Sequence, residues 1–351
     1  MEKIIEIDGS YLEGGGQIVR TALALSIITK KGFHITNIRN NRPNPGLKAQ
    51  HLTAVNTLAE LFDVQVQGNE LGSGYLTFIP KDNKLQKSTV LVNIGTAGSV
   101  TLLMQSLLPA LLFAEKQCTL AISGGTDVEF SPSVDYFSNV FLPHLSRFGN
   151  IHFELINRGY FPKGNGMVRI KVMPSSFKEK IPFNLISQQK LIHIKGISHA
   201  ADDLAGAKVA ERQAESAKRA IQGLNAATIT TEYRKTFSKG SGITLFALFG
   251  DDEINKRNPV ILGSCALGDI RKRAEEVGEE AAHALLKEIN IEAAVDCHMA
   301  DQLIPYLAIV GGAIKTSKIT KHTLTNIYAV QKFMNVKFSI DEENKIIKVN
   351  G

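Results

Sequence analysis

The chain has 351 residues, more than one compact core usually holds, and roughly 100 to 200 residues per domain predicts two or three units. Hydrophobic residues make up 44% and charged residues 21%, a balance typical of packed globular proteins that excludes intrinsic disorder. The 40 lysines and arginines outnumber the 34 aspartates and glutamates, and the net charge of +6 favours an anionic partner such as a phosphate.

The first predicted unit begins with a strand at 4–8, an apolar helix at 15–29 and a strand at 33–39. A helix over 51–61, closed by Phe62, then leads into two short alternating strands that are typical of a hairpin. Helices that alternate with strands and hairpins predict an α/β unit whose helices cover one face of a sheet.

The second and third units repeat this order. The uncharged run 88–114 is long enough to span a bilayer, but glycine, proline and polar residues interrupt it, so we predict a buried strand, a glycine turn and a buried helix. A strand at 118–124, an amphipathic helix from Val134 and an alternating strand complete the second unit. The third has a helix from Met299, a strand from Ala313, a helix from His322 and a hairpin.

Three phenylalanines at the ends of corresponding helices give the spacing of the repeat. Phe62, Phe148 and Phe333 lie 86 and 185 residues apart, and the second spacing exceeds the first by 99. Three copies of a unit near 86 residues, with an insertion of about that excess before the last copy, explain these spacings. The prediction has two domains: a large repeat-built domain, 1–183 and 281–351, and a small inserted domain, 184–280.

The inserted segment has predicted elements of its own. A strand at 191–197, a charged helix at 203–224 and three strands within 227–267 precede a further helix from Ile270. These elements predict a small α/β domain.

The expected location is a reducing cytoplasm. The start MEKIIEIDGS places acidic residues where a secretory signal needs a basic and then an apolar stretch, so we expect no export. Cys118, Cys265 and Cys297 lie far apart without zinc spacing, and their odd number fits reduced thiols.

A glycine-rich turn, E13-G-G-G-Q-I-V-R20, opens the first helix. Its glycines let the backbone approach a ligand, and a helix N-terminus favours anions, although the turn is neither a dinucleotide fingerprint nor a P-loop and fits a purely structural role too. Arg20 is the only charge between Gln17 and Thr29 on a helix suited to burial. A buried guanidinium needs a phosphate or a carboxylate, and Glu13 is the internal alternative.

The loop that follows the strand at 33–39 is rich in basic residues and stiffened by two prolines. Arginine forks bind phosphate bidentately, and a rigid loop presents them at low entropic cost, so the alternatives are an oxyanion site and a solvated basic loop. The side chains concerned are Arg39, Arg42, Lys48, Gln50 and His51.

Further polar turns precede the helices of the second unit, at 95–101, 123–127 and 131–135, and repeat packing is expected to bring such helix starts toward one cleft. His322 also begins a helix, beside Lys318 and Lys321. The helix dipole and both lysines disfavour imidazolium, and a neutral imidazole is a nucleophile or a metal ligand. A helix-capping or surface role is the alternative for this histidine.

These motifs together resemble the RNA 3′-terminal phosphate cyclases over essentially the whole chain. The matching segments are EGGGQIVRTAL from Glu13, the R-x-x-R-x-x-P-G-L-x-x-Q-H-L run at 39–52, GTAGSVTLL, SGGTD, A-D-Q-L at 300–303 and K-H-T-L-T-N-I at 321–327. The resemblance implies three repeats of a four-stranded sheet with two helices, and an inserted domain of thioredoxin-like topology. It also implies an enzyme that uses ATP and a divalent cation, Mg²⁺ or Mn²⁺, to convert an RNA 3′-phosphate into a 2′,3′-cyclic phosphate.

The resemblance also implies roles for individual residues. His322 matches the nucleophile that attacks the α-phosphate of ATP and becomes a histidine–AMP phosphoramidate, from which the adenylate passes to the RNA 3′-phosphate. Glu13 matches an acid that contacts the metal. The residues matching the phosphate and RNA-end site are Arg20, Arg39, Arg42, Gln50 and His51, and those matching the adenylate pocket are Gln105, Pro132, His298, Asp301 and Gln302.

The chain departs from the family pattern at two positions. His298 stands where some members have a tyrosine that stacks on adenine, and Ala49 where some have a basic residue. The rival functions are a catalytically inactive, cyclase-like RNA-binding protein of ribosome assembly and a transferase of small phosphorylated metabolites. Retention of His322, Glu13 and both loop arginines argues against the first rival. Because the insertion contains none of these residues, we expect histidine adenylylation to survive its deletion.

Overall fold

The computed structural model describes residues 4–175, 181–224, 227–251 and 254–349. Its first unit is a four-stranded sheet in the order β1-β2-β4-β3, with β1 parallel to β2 and the other pairs antiparallel. Two helices, α1 and α2, pack against the sheet. The bounds are Ile5–Asp8 (β1), Gln17–Thr29 (α1), Phe33–Thr36 (β2), Ala49–Leu61 (α2), Phe62–Gln67 (β3) and Leu76–Leu85 (β4).

The second unit repeats this sheet in the order β5-β6-β8-β7. Its second helical segment is irregular, because a π-helical stretch, Phe137–Phe141, separates two short α-helical pieces. The bounds are Thr89–Asn93 (β5), Val100–Leu112 (α3), Cys118–Gly124 (β6), Val134–Tyr136 (α4), Leu142–Leu145 (α5), Gly149–Asn157 (β7) and Gly166–Pro174 (β8).

The inserted segment forms a sheet in the order β11-β10-β12-β13, on which two mutually packed helices, α6 and α7, lie. Parallel β10 and β11, followed by antiparallel β12 and β13, agree with the expected thioredoxin-like topology. The bounds are Leu191–Ala201 (β10), Val209–Ala220 (α6), Ala227–Arg234 (β11), Ser241–Phe249 (β12), Val260–Leu267 (β13) and Ala274–Asn290 (α7).

The third unit has the order β15-β16-β14-β9, so all three repeats share one topology and the predicted fold class is confirmed. Its first strand, β9 (Phe183–Leu185), pairs with β14 (Gly312–Lys315) across the inserted segment. The remaining bounds are Cys297–Val310 (α8), Lys321–Phe333 (α9), Phe338–Asp341 (β15) and Ile346–Val349 (β16).

The insertion therefore interrupts the third copy after its first strand, whereas the spacing placed it before that copy. Three residues are too few for β9 to show a period of two in the sequence. The expected boundaries at 184 and 280 fall inside β9 and α7. The division into two domains at those positions stays a prediction.

The charged helix expected over 203–224 is shorter than predicted. A 3₁₀-helical stretch, Asp202–Ala207, precedes it, and Lys208 adopts a left-handed conformation with φ of 51°. A left-handed residue ends the series of helical hydrogen bonds, so α6 begins at Val209. Helix α7 likewise begins at Ala274 instead of Ile270.

The first helices of the three repeats, α1, α3 and α8, pack together through α3. Helix α1 contacts α3 and α9, and α8 contacts α3 and α9. The uncharged run 88–114 forms β5 and the 13-residue α3, as predicted. In the described ranges, no helix has the length and apolar character needed to cross a membrane.

Candidate active site

His322 is the second residue of α9, whose N-terminus is capped by Thr320. Its side chain is 47% exposed and its two ring nitrogens have different neighbours. Nδ1 lies 2.6 Å from Oε1 of Gln17, and Nε2 lies 3.0 Å from Oε2 of Glu13. The glycine-rich turn at the start of α1 therefore approaches the N-terminus of α9 and holds this histidine from both sides.

Gln17 favours the tautomer of neutral His322 that carries the proton on Nδ1. Its amide Nε2 donates to the backbone carbonyl of His322, so its Oε1 faces the ring and accepts the Nδ1 proton. Nε2 then carries the lone pair. Gln17 was not predicted as a site residue. It stands inside the glycine-rich motif, but only the fold shows which side chain of that motif reaches the histidine.

The pKa of His322 lies below its ordinary value of 6.5. Partial burial is the largest cause, the positive charges of Arg20 and Arg42 add to it, and the charge of Glu13 opposes it. The ring is thus predominantly neutral at pH 7, the state that the helix-start position predicted. The cationic neighbours responsible are arginines of the first unit and not Lys318 or Lys321.

These opposing charges predict opposite shifts in two variants. Glu13→Gln removes a charge that raises the pKa of His322, so its ring should titrate at lower pH than in the parent protein. Arg42→Gln removes a charge that lowers this pKa, so titration should move to higher pH. NMR titration of histidine-labelled protein, assigned with His322→Asn, measures both. Shifts in the same direction would contradict the arrangement.

A cavity of about 460 Å³ opens beside His322, between α1, α3 and α8. All five residues matched to the adenylate pocket line it: Gln105, Pro132, His298, Asp301 and Gln302. So do Arg20 and Gln17. Surveys give small-molecule sites volumes of about 300 to 1,000 Å³, and a cavity of this size fits a nucleotide.

The inserted segment forms part of the cavity wall. Gly263, Ser264 and Cys265 of β13 line it, and Ala284 and Glu288 of α7, which follow the expected boundary at 280, line it as well. The expectation that histidine adenylylation survives deletion of the insertion stays a prediction, and the deletion would remove this part of the cavity wall. Backbone and small side chains supply most of this wall, and they form no motif in the sequence.

Amide side chains connect the helices around the cavity. Gln105 of α3 donates to Oε1 of Gln302, whose own amide donates to the carbonyl of His298. On the other side, Asn326 accepts from Thr21 and donates to the carbonyl of Asp301. Both amides of the Gln105–Gln302 pair are thereby oriented before any ligand binds.

Asp301 and Arg20 are two charged residues of the cavity whose charges are coupled. Burial raises the pKa of Asp301 to about 7 and lowers that of Arg20 to about 10, while each charge stabilises the other. Arg20 therefore stays protonated at neutral pH. The alternative of an internal pair between Arg20 and Glu13 is wrong: Glu13 pairs with Arg42 at 3.2 Å, and the carboxylate whose charge stabilises that of Arg20 is Asp301.

A second, open groove of about 500 Å³ lies on the other side of His322 and is lined by Leu12, Glu13, Asn41, Arg42 and His322. His322 is the one residue that lines both spaces within the described ranges. With the proton on Nδ1, the lone pairs of Nε2 and of Glu13 Oε2 face each other. A cation or an electrophile between them relieves this repulsion, so Glu13 fits a metal ligand.

Three donors beside this groove lack partners. Nε of Arg39, Nε of Arg42 and Nε2 of His51 are buried and make no hydrogen bond. Nδ1 of His51 accepts from the amide of Lys48, so its Nε2 carries a proton. Burial and the charges of Arg20, Arg39 and Lys48 lower the pKa of His51 to about 3 and keep it neutral.

Hydrogen-bond donors without partners, grouped with several positive charges, are typical of a site that binds an oxyanion. A Cβ at Gly16 would collide with the His51 ring, so this position of the motif requires glycine. Gln50 lies beside the same cluster and accepts from the amide of Ser99 at 3.1 Å, which joins the basic loop to the N-terminus of α3.

The polar turns 123–127 and 131–135 have another role. Arg158, 1% exposed, donates to Asp127 at 3.0 Å and to Asp135 at 2.8 Å. His199 of β10 is close to both carboxylates. Asp127, Asp135 and His199 have the spacing of a metal site, but the guanidinium already occupies the carboxylates, so we assign them a structural role.

The fold and the site define a repeat-built α/β protein in which one neutral histidine joins a nucleotide-sized cavity to a basic groove. A family model described as RNA 3′-terminal phosphate cyclase matches residues 11–340. The chain belongs to the RNA 3′-terminal phosphate cyclase family, whose members are ligase-class enzymes.

Curated relatives with the same family name match this chain over almost their whole length. The protein of Pyrococcus abyssi is 44% identical over 342 residues, 97% of this chain and 96% of its own. That of Saccharolobus solfataricus is 44% identical over 340 residues, 96% of each chain. That of Methanococcoides burtonii is 41% identical over 350 residues, 99% of each. All three are named RNA 3′-terminal phosphate cyclase.

Proposed function

We propose that this chain converts an RNA 3′-terminal phosphate into a 2′,3′-cyclic phosphate with ATP, through a covalent AMP adduct of His322 and an RNA adenylate. The observation that carries the proposal is the position of His322, whose neutral ring borders both the cavity and the groove. Because one atom must first attack ATP and then release AMP to RNA, it needs access to both substrates.

In the first step, Nε2 of His322 attacks the α-phosphorus, a P–N bond forms, and the bond to pyrophosphate breaks. Oε1 of Gln17 accepts the hydrogen bond that Nδ1–H donates, and this bond stabilises the positive charge that develops on the ring. Pro132 and His298 are proposed to enclose the adenine, and Gln105, Asp301 and Gln302 to bind its polar edge or the ribose. Arg20, on the same wall as His322, is placed to hold a phosphate.

The second and third steps use the basic groove. Arg39, Arg42, Gln50 and His51 would hold the RNA 3′-phosphate while one of its oxygens attacks the adenylate phosphorus and the P–N bond breaks. The vicinal 2′-hydroxyl then attacks the RNA phosphorus, and AMP leaves. A divalent cation, held by Glu13 and the ATP phosphates, would neutralise charge on the triphosphate, since Mg²⁺ commonly combines one or two carboxylates with substrate phosphates.

Incubation of the protein with ATP, Mg²⁺ or Mn²⁺ and an RNA that carries a 3′-phosphate tests this proposal. We expect a product that resists phosphatase, as a cyclic phosphate does, together with one AMP for each RNA end. An RNA with a 3′-hydroxyl is the matched control and should not react. Removal of the 3′-phosphate label by phosphatase after a full incubation would contradict the proposal.

A further inference from the structure

Two exposed turns near the oxyanion site carry large rings beside lysines. Phe161 and Lys163 lie in the turn between β7 and β8, and Lys235 and Phe237 lie in the turn between β11 and β12. The rings are 73% and 61% exposed, and both lysines are exposed as well. We call these four residues the aromatic–lysine patch. In the described part of the chain, neither lysine has an ion-pair partner, whereas Lys239 lies 3.9 Å from Asp203.

The two turns are held against each other although they belong to different sheets. The backbone amide of Lys163 donates to Oγ of Ser238 at 3.1 Å. Gly240 packs so closely on the ring of Tyr160 that a Cβ there would collide with it. These contacts make the patch one surface, shared by the second repeat and the inserted sheet.

The patch is continuous with the residues proposed to hold the RNA end. Gly164, next to Lys163, lies against the turn before α3, where a Cβ would come within 2.8 Å of the Ala97 Cα. Two residues further on, the amide of Ser99 donates to Oε1 of Gln50. Lys163 and Phe161 therefore belong to the turn that packs against the N-terminal turn of α3, to which Gln50 is bound.

The composition of the patch matches single-stranded nucleic acid. Aromatic faces stack on any base, and lysines neutralise phosphates without reading sequence. Exposed lysines alone serve solubility. Two exposed aromatic rings beside them, however, offer apolar faces on which bases can stack. We propose that the aromatic–lysine patch binds the single-stranded RNA segment upstream of the 3′ end, so that the inserted sheet contributes to RNA affinity. This inference rests on the proposed function.

RNAs of two lengths, about 3 and about 12 nucleotides, both with a 3′-phosphate, separate the patch from the catalytic groove. Phe161→Ala and Phe237→Ala should each raise the KM for the long RNA by about fivefold to more than a hundredfold, the range that the loss of one stacked base spans. The kcat, the KM for the short RNA and labelling of the protein by ATP should not change. Leu91→Ala, at a strand residue that is 82% exposed, is the matched control and should change nothing.

The lysines have a separate signature. In Lys163→Ala/Lys235→Ala, the slope of log affinity against log salt should fall by about 1.4 for the long RNA, since each phosphate neutralised in a single strand contributes about 0.7. Fluorescence anisotropy measures this affinity without turnover. Failure of the parent protein to cyclise either RNA would refute the proposed function, and the anisotropy of the same variants would still test the patch.

Equal losses for both RNAs, or an unchanged affinity for the long RNA, would overturn the inference. A change of mass in solution in the phenylalanine variants, with RNA affinity intact, would instead identify the patch as an interface between copies and would also overturn it.

Discussion

Arg158→Ala is expected to lower the free energy of unfolding by about 3 to 5 kcal/mol, the cost of leaving a buried charge without its partner. Arg158 donates to Asp127, Asp135 and Glu232, and the variant leaves two carboxylates that are almost fully buried. Glu232 belongs to the inserted sheet, so the same change loosens the contact between that sheet and the second repeat. Urea unfolding at pH 8 measures the loss.

The loss should depend on pH in a defined direction. Burial already raises the pKa of Asp135 to about 6, and removal of Arg158 raises it further. The folded variant therefore binds protons more tightly than the unfolded chain, and its stability falls as the pH rises above the ordinary carboxyl range near 3.8. We expect a smaller deficit at pH 5 than at pH 8.

Arg169→Ala is the matched control, because Arg169 pairs with Glu154 across neighbouring strands with both side chains about half exposed. Its replacement should cost less than about 1 kcal/mol. Similar losses for Arg158→Ala and Arg169→Ala, or a deficit that grows toward pH 5, would show that the buried cluster does not hold the two sheets together.

The second large effect concerns the basic loop. Arg39→Ala should slow transfer of AMP from the protein to RNA about tenfold to more than a hundredfold, since one charged hydrogen bond contributes about 1.5 to 3 kcal/mol. Adenylylation of the protein should not change, because the proposed function places Arg39 at the RNA phosphate and not at ATP. Its Nε has no hydrogen-bond partner that the substitution would break. Single-turnover mixing of preadenylylated protein with RNA measures the transfer step alone.

Arg42→Ala should slow both steps, because Arg42 also binds Glu13 and lowers the pKa of His322. Lysine should restore little at either position, since it lacks the planar fork. Transfer at the parent rate in Arg39→Ala, or full rescue by lysine, would show that Arg39 does not bind the RNA phosphate through its planar fork.

Local patterns in the sequence predicted the repeats, whereas the residues matched to the adenylate pocket came from the resemblance to the cyclase family. Apolar periodicity located α1, α3 and α8, whose convergence places Gln105, Asp301 and Gln302 on one wall. The strand β9 was not predicted, because three residues are too few to show an alternating pattern. Its pairing with β14 is a tertiary contact that no local pattern encodes.

Side-chain partners were harder to predict than positions. Glu13 and Arg20 were both selected, but the sequence could not show that Glu13 binds Arg42 while Arg20 is coupled to Asp301. Gln17 was overlooked because amides carry no charge signal. The wall formed by β13 was overlooked because its glycine and serine act through backbone and shape.

The most direct test of the central claim is incubation with ATP labelled at the α-phosphate and a divalent cation, followed by a denaturing gel. The parent protein should retain label that is labile in acid and stable in alkali, as a phosphoramidate is. His283→Ala, at an exposed histidine of α7, should label like the parent protein, and His322→Ala should not label. Label retained by His322→Ala at the level of the parent would contradict a covalent role for this histidine.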